Sequence, residues 1–161
     1  MSVPNRILQF LKDNQVAYES HRHPTAYTAQ EVAAAEHIPG RNLAKTVIVS
    51  ADGRLAMVVL PAPYRVDLKA LRSCLKAKEV RLAQEDEFAA RFPGVATGAM
   101  PPLGNLWDLP VYVDRALEED EKITFNAGTH EDTLTVAYAD FKRLVGPTVV
   151  DCRVLAGAQS S

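Results

Sequence analysis

The chain has 161 residues, 47% of them hydrophobic and 24% charged, with a formal net charge of −2. That size and balance suit one domain with a real core, and no apolar run reaches the ~20 residues that span a bilayer. The first residues lack the apolar stretch of a secretion signal, which points to a cytoplasmic protein whose two cysteines, Cys74 and Cys152, stay reduced.

The charge is unevenly placed. Residues 41–81 carry nine Lys/Arg and three Asp/Glu, a balance of +6, whereas residues 85–140 carry three Lys/Arg and twelve Asp/Glu, a balance of −9. Such asymmetry can build one electropositive face on a slightly acidic protein, although two solvated surfaces would produce the same count.

Taken in chain order, residues 4–13 predict a short amphipathic helix, with Pro4 in its first turn and Ile7, Leu8 and Leu11 on one face. "AYESHR" reads as a strand. Thr28 and Glu31 have capping-box spacing at the head of a helix that Pro39-Gly40 stops. "KTVIVS", "ADGR" and "LAMVVLP" spell a β-hairpin with Asp52-Gly53 in its turn. Asp67 can cap the helix "LKALRSCLKA", in which Cys74 reads as a core thiol. "EVRLA" is a short strand and "EDEFAARF" a helix with acids at its positive end.

Next comes "GAMPPLG", residues 98–104, where two prolines fix φ and a leading glycine leaves the backbone bare. "VYVD", "KITFNA" and "TLTVA" are strand-like, with "GTHED" turning between the last two. "ADFKRLV" is a helix ended by Gly146-Pro147, "TVVDC" a final strand, and residues 156–161 a disordered tail. Short hairpins alternating with short helices predict one mixed α/β (α+β) domain over residues 1–155, built on a curved or partly closed sheet. A Rossmann unit is disfavoured, because no glycine fingerprint follows a strand.

Standard catalytic motifs are absent: no GxSxG elbow, no HExxH, no P-loop. His21 and His23 share a side if they lie on a strand, and with His37 or His130 they could hold a metal. Without a clustered carboxylate, the pair speaks more for hydrogen bonding, and no metal is expected. Lys45 opens an apolar strand. A lone lysine there would read as a solvated charge or a guard against edge pairing. It is accompanied by the glycine-proline loop and by "NAGTH", residues 126–130, each at the mouth of a predicted strand.

These three segments, "LAKTVIVSADGRLAMVVLP", "GAMPPLG" and "ITFNAGTHEDTLTVAYADFKRL", resemble the YbaK/EbsC family. That family is related to the editing domain of bacterial prolyl-tRNA synthetases. The likeness runs from about residue 15 to residue 145 and implies a barrel-like sheet wrapped by helices, with neither metal nor organic cofactor. It implies a free-standing aminoacyl-tRNA deacylase, whose partners are the acceptor end of tRNA and an aminoacyl-tRNA synthetase. Lys45 matches the family lysine on the terminal nucleotide and Thr46 its pocket-lining neighbour. Gly98 and Pro102 match a GxxxP loop whose backbone faces the aminoacyl carbonyl, and Asn126-Ala127-Gly128 a small-residue turn.

The reading adds His21, Tyr27, Met100, Leu103 and His130 as substrate-binding candidates. Three departures bear on which amino acid is removed: Pro101 replaces a serine, Thr129-His130-Glu131 replaces a Lys-Arg-Gly run, and Asp132 is only a neighbour of an expected acidic position. A non-catalytic module that holds a tRNA end or a nucleotide is the alternative, and a histidine-metal hydrolase a remote third.

Overall fold

The computed structural model describes residues 3–25 and 42–155. Tyr27, the helix expected from Thr28 to His37, Pro39-Gly40 and the expected tail lie outside the described residues. Helix α1 (Asn5–Asp13) buries Ile7 and Leu11. Strand β1 (Tyr18–Arg22) pairs antiparallel with β8 (Asp132–Ala137), which pairs with β7 (Lys122–Asn126), giving a three-stranded sheet.

The hairpin formed by β2 (Ala44–Ala51) and β3 (Arg54–Pro61) is the centre of a five-stranded sheet. Its turn has Asp52 at φ 50° and Gly53 at φ 83°, the left-handed pair that matches strand twist. Strand β5 (Val80–Leu82) covers only Val49–Ala51 of β2. On the other side, β3, β6 (Val111–Asp114) and β9 (Thr148–Val150) run parallel. A two-stranded ribbon joins β4 (Tyr64–Val66) to β10 (Arg153–Leu155). Helices α2 (Leu68–Leu75), α3 (Glu85–Phe88, continued as a 3-10 turn to Arg91) and α4 (Tyr138–Val145), with 3-10 turns at Gly104–Leu106 and Arg115–Glu119, complete the elements of the described residues. Asp67 caps α2 by accepting from the Ala70 amide, and Gly146 ends α4 in the left-handed conformation.

The fold is therefore mixed α+β with several sheets, and no closed barrel is found among the described residues. The ribbon β4–β10 is not among the strands expected from the sequence. The core divides at the five-stranded sheet. Ile48, Met57, Val59 and Val113 join a larger cluster with Met100, Leu103, Phe125 and Ala127. Val49, Val58 and Leu60 join Leu71 of α2 in a smaller one.

The cysteines part company. Cys152 is buried, and burial beside Asp114 pushes its thiol up to about 12. Cys74 is exposed rather than a core thiol, because Leu71 takes the inward position on α2. Among the described residues no helix is long and apolar enough to cross a membrane.

Candidate functional site

A single parallel bridge, Leu43 to Thr124, joins the five-stranded sheet to the three-stranded one. Strands β2 and β7 share no ladder beyond it. Because the bridge is parallel, Lys45 and Thr46 lie level with Asn126 and Ala127 where the strands part. Thr46 Oγ1 and Asn126 Oδ1 are both buried and lack a hydrogen-bond partner among the described residues.

Alternation along β2 separates the two members of the Lys-Thr pair. Thr46 lies on the face of Ile48, toward the cluster that contains Met100 and Ala127. Lys45 lies on the face of Val47, opposite Leu60. It is half-buried, and loss of water around the ammonium lowers its pKa below the ordinary lysine value.

The turn after β7 and the glycine-proline loop are bound together by main chain. The Gly128 amide donates to Ala99 O at 2.8 Å, and the Ala96 amide donates to Gly128 O at 2.9 Å. Within the loop the Ala99 amide donates back to Ala96 O at 3.0 Å, which turns the chain and leaves Gly98 outermost and exposed. Gly98 has φ 88°, a conformation that a side chain strains. A Cβ built there would lie 3.5 Å from His130 Cε1, so the imidazole stands beside the bare backbone. The Gly98 amide donates to Met100 Sδ at 3.2 Å. A thioether is a weak acceptor, so this donor is held by a partner that a charged oxygen would outcompete. Met100, Pro101, Pro102 and Leu103 are all buried, which anchors the loop through its side chains.

The 126–130 turn has its own brace, which the sequence reading passes over. Buried Asp132 accepts from Thr129 Oγ1 at 2.6 Å, Thr129 Oγ1 accepts from the Glu131 amide at 3.1 Å, and the Ala127 amide donates to Asp132 O at 3.0 Å. Asp132 is therefore a structural carboxylate. The Thr-x-x-Asp spacing around the turn is the signal that could have found it.

The structure brings Gly98, Met100, Gly128 and His130 together, and Thr46 faces the core cluster that includes Met100, whereas Lys45 lies on the opposite face of β2, level with Asn126 at the strand gap. His21 is different. It is exposed on β1, paired with Thr133, and its Nε2 lies 3.7 Å from Glu19 Oε2. His23 is buried, with its ring Nδ1 2.7 Å from Pro24 O and its amide donating to Glu131 O. The two histidines thus do not share an environment, because β1 ends at Arg22 between them. Among the described residues no group of three His, Cys, Asp or Glu side chains is arranged to hold a metal. A cleft of about 730 Å³ lies at the opposite end of the hairpin, lined by Ser50, Gly53, Arg54, Arg81, Arg91 and Asp108 among others, and includes none of the predicted site residues.

Residues 23–144 match the family model of the aminoacyl-tRNA editing domain. The chain is 30% identical over 135 residues to the proline–tRNA ligase of Shouchella clausii, covering 77% of this chain and 23% of that one. It is 31% identical over 120 residues to the proline–tRNA ligase of Dehalococcoides mccartyi, covering 74% and 20%. The chain thus spans about a fifth of the length of these relatives. Among solved structures, a proposed trans-editing enzyme for prolyl-tRNA synthetase superposes with a TM-score of 0.80 at 21% identity, covering 96% of this chain and 99% of that one. The chain belongs to the aminoacyl-tRNA editing domain family.

Proposed function

We propose that this protein hydrolyses the ester bond of mischarged aminoacyl-tRNA in trans, releasing a small amino acid from the tRNA. The observation that carries the reading is the exposed, left-handed Gly98, pinned beside His130 by the hydrogen bonds between Ala96, Ala99 and Gly128.

An aminoacyl ester is already activated, so its hydrolysis needs no strong nucleophile. It needs a placed water and N–H donors aimed at the developing oxyanion. Water adds to the carbonyl carbon, the carbonyl oxygen takes up negative charge, and the ribose oxygen leaves with a proton. The Gly98 amide supplies a donor once the ligand's oxygen displaces Met100 Sδ. The prolines hold that amide in place, so little reorganisation accompanies the charge. Lys45 pairs with phosphate or ribose oxygens of the terminal nucleotide, and its partial desolvation strengthens that pairing. The Thr46 hydroxyl and the Asn126 carboxamide offer polar contacts at the strand gap, and we assign the amino acid to Pro102, Leu103, Gly128 and His130. Tyr27 and His21 complete the proposed substrate set.

Such a sieve answers a limit of synthetases, whose apolar pockets separate side chains differing by one methylene by only about 1–3 kcal/mol. The test is deacylation of a panel of mischarged tRNAs by the wild type and by Lys45→Ala and Gly98→Ala. Wild-type turnover of at least one member, lost in both variants, is the expected result. Rates equal to spontaneous hydrolysis throughout, with tRNA still bound, would leave a binding module in its place.

A further inference from the structure

We propose that the exposed face of α2 docks the double-stranded acceptor stem of tRNA, through Lys69, Arg72 and Lys76. The proposal rests on the deacylase reading and extends it from the ester to the body of the substrate.

The first observation is what these cations lack. Elsewhere in the described residues seven of the fourteen Lys/Arg side chains have an ion pair, and the seven without one (Arg6, Lys12, Lys45, Arg54, Arg65, Lys78 and Arg91) fall no more than two to any one helix or strand. Arg81 is 2.7 Å from Glu87, Lys142 is 2.7 Å from Glu118, Arg153 is 3.0 Å from Asp114, and Arg115 and Arg143 each lie 3.2 Å from an aspartate. Lys69, Arg72 and Lys76 are exposed, and none has an ion pair among the described residues. No acidic residue occurs from Leu68 to Lys78. Asp67 is already spent on capping the helix. An array of free cations costs self-repulsion unless something anionic covers it.

The second observation is spacing. Lys69 and Arg72, at i and i+3, share one face of α2, and Lys76 follows as its C-cap in the left-handed conformation, about 10 Å along the axis from Lys69. Leu71 points the other way, into the smaller core cluster. The result is a linear row of charges, which fits a run of backbone phosphates better than one compact anion.

The third is position. Leu71 packs in the same cluster as Leu60, and Leu60 is the residue opposite Lys45 in the hairpin. Lys45 and the α2 row therefore belong to one side of the five-stranded sheet. A stem held on α2 would direct its unpaired 3′ end along that side toward Lys45 and the strand gap. Phosphate contacts of this kind set register and orientation without reading sequence, so the deacylase could accept more than one tRNA through the same row.

The experiment uses fluorescence anisotropy with an uncharged acceptor-stem minihelix ending in 3′-CCA and a single-stranded oligonucleotide of the same length, at several salt concentrations. The variant is Lys69→Gln/Arg72→Gln/Lys76→Gln, checked for wild-type circular dichroism and thermal midpoint. Losing three phosphate contacts should weaken minihelix binding roughly tenfold or more and flatten the slope of log K against log salt by about 2 to 3. The single-stranded oligonucleotide should lose little, and Lys69→Arg/Lys76→Arg should bind the minihelix as the wild type does. Unchanged minihelix binding by the triple variant, or equal losses on both RNAs, overturns the docking face even if deacylation persists. Absence of deacylation with α2-dependent minihelix binding removes the deacylase reading and leaves the docking face standing.

Discussion

The Gly128 amide donates to the Ala99 carbonyl at 2.8 Å, which welds the turn after β7 to the glycine-proline loop. Two segments about thirty residues apart in sequence thereby become one surface, with Gly98 and His130 on it.

Gly98→Ala should fold but lose catalysis. At φ 88° an alanine carries roughly 1–2 kcal/mol of backbone strain, and its methyl would meet His130 at ordinary contact distance. The strain shifts the amide that the mechanism uses, and a lost oxyanion donor typically costs ~10²–10³ in kcat. Deacylation kinetics beside a thermal melt separate the two effects. A large fall in melting temperature with unchanged kcat would reverse the assignment.

Gly128→Ala should act chiefly on stability. Its Cβ would lie 2.9 Å from Pro4 Cδ and 3.1 Å from Pro4 Cγ, closer than packed atoms approach, at a φ of 93°. Overpacking of this kind costs about 1–3 kcal/mol. Adding Pro4→Ala removes the offending ring atoms and should restore part of the loss in denaturant titrations, with the backbone strain left over. Purely additive effects of the two substitutions would mean that α1 does not seat on the turn.

Thr46→Val should separate stability from function. A buried hydroxyl without a partner costs about 1–3 kcal/mol relative to a bonded one, and valine has nearly the same shape. The melting temperature should hold or rise while turnover of mischarged tRNA falls. A marked drop in melting temperature would show that the hydroxyl is already satisfied in the free protein.

Lys45→Met should be at least as stable as the wild type at neutral pH, and inactive. Burial lowers the lysine pKa, so the folded state binds its proton less tightly than the unfolded chain does. Between the lowered pKa and the ordinary value near 10.5, the unfolded state holds more protons, and wild-type stability rises with pH. Any advantage of the methionine variant should therefore be full below that window and shrink as pH rises through it. Urea titrations at pH 7 and pH 10 measure it, and an advantage that grows with pH would contradict the burial.

Much of the fold was legible because local chemistry decides it. Asp52-Gly53 supplies the left-handed residues of a two-residue turn, Asp67 an N-cap, and Gly146 a left-handed stop, each through contacts within a few residues. The candidate site was legible as three separate segments, since bare glycines, paired prolines and a lysine at a strand mouth are unusual wherever they occur. The roles of Asp132 and Cys74 were less so. Asp132 looks like a misplaced pocket acid until its bond to Thr129 is seen, and Cys74 looks buried until Leu71 is seen to take the core side of α2.

The sequence by itself determined the hairpin, the caps, the stiffness of residues 98–104 and the family likeness, because each depends on residue types at short range. Tertiary structure alone decided that β2 and β7 part after one bridge, that the turn at 126–130 locks onto the loop, and that the Lys45 face of β2 is the one α2 covers. It also decided which cations find carboxylates and which stay free along α2. Those outcomes depend on main-chain groups, which every residue carries alike, and on distances between segments far apart in the chain.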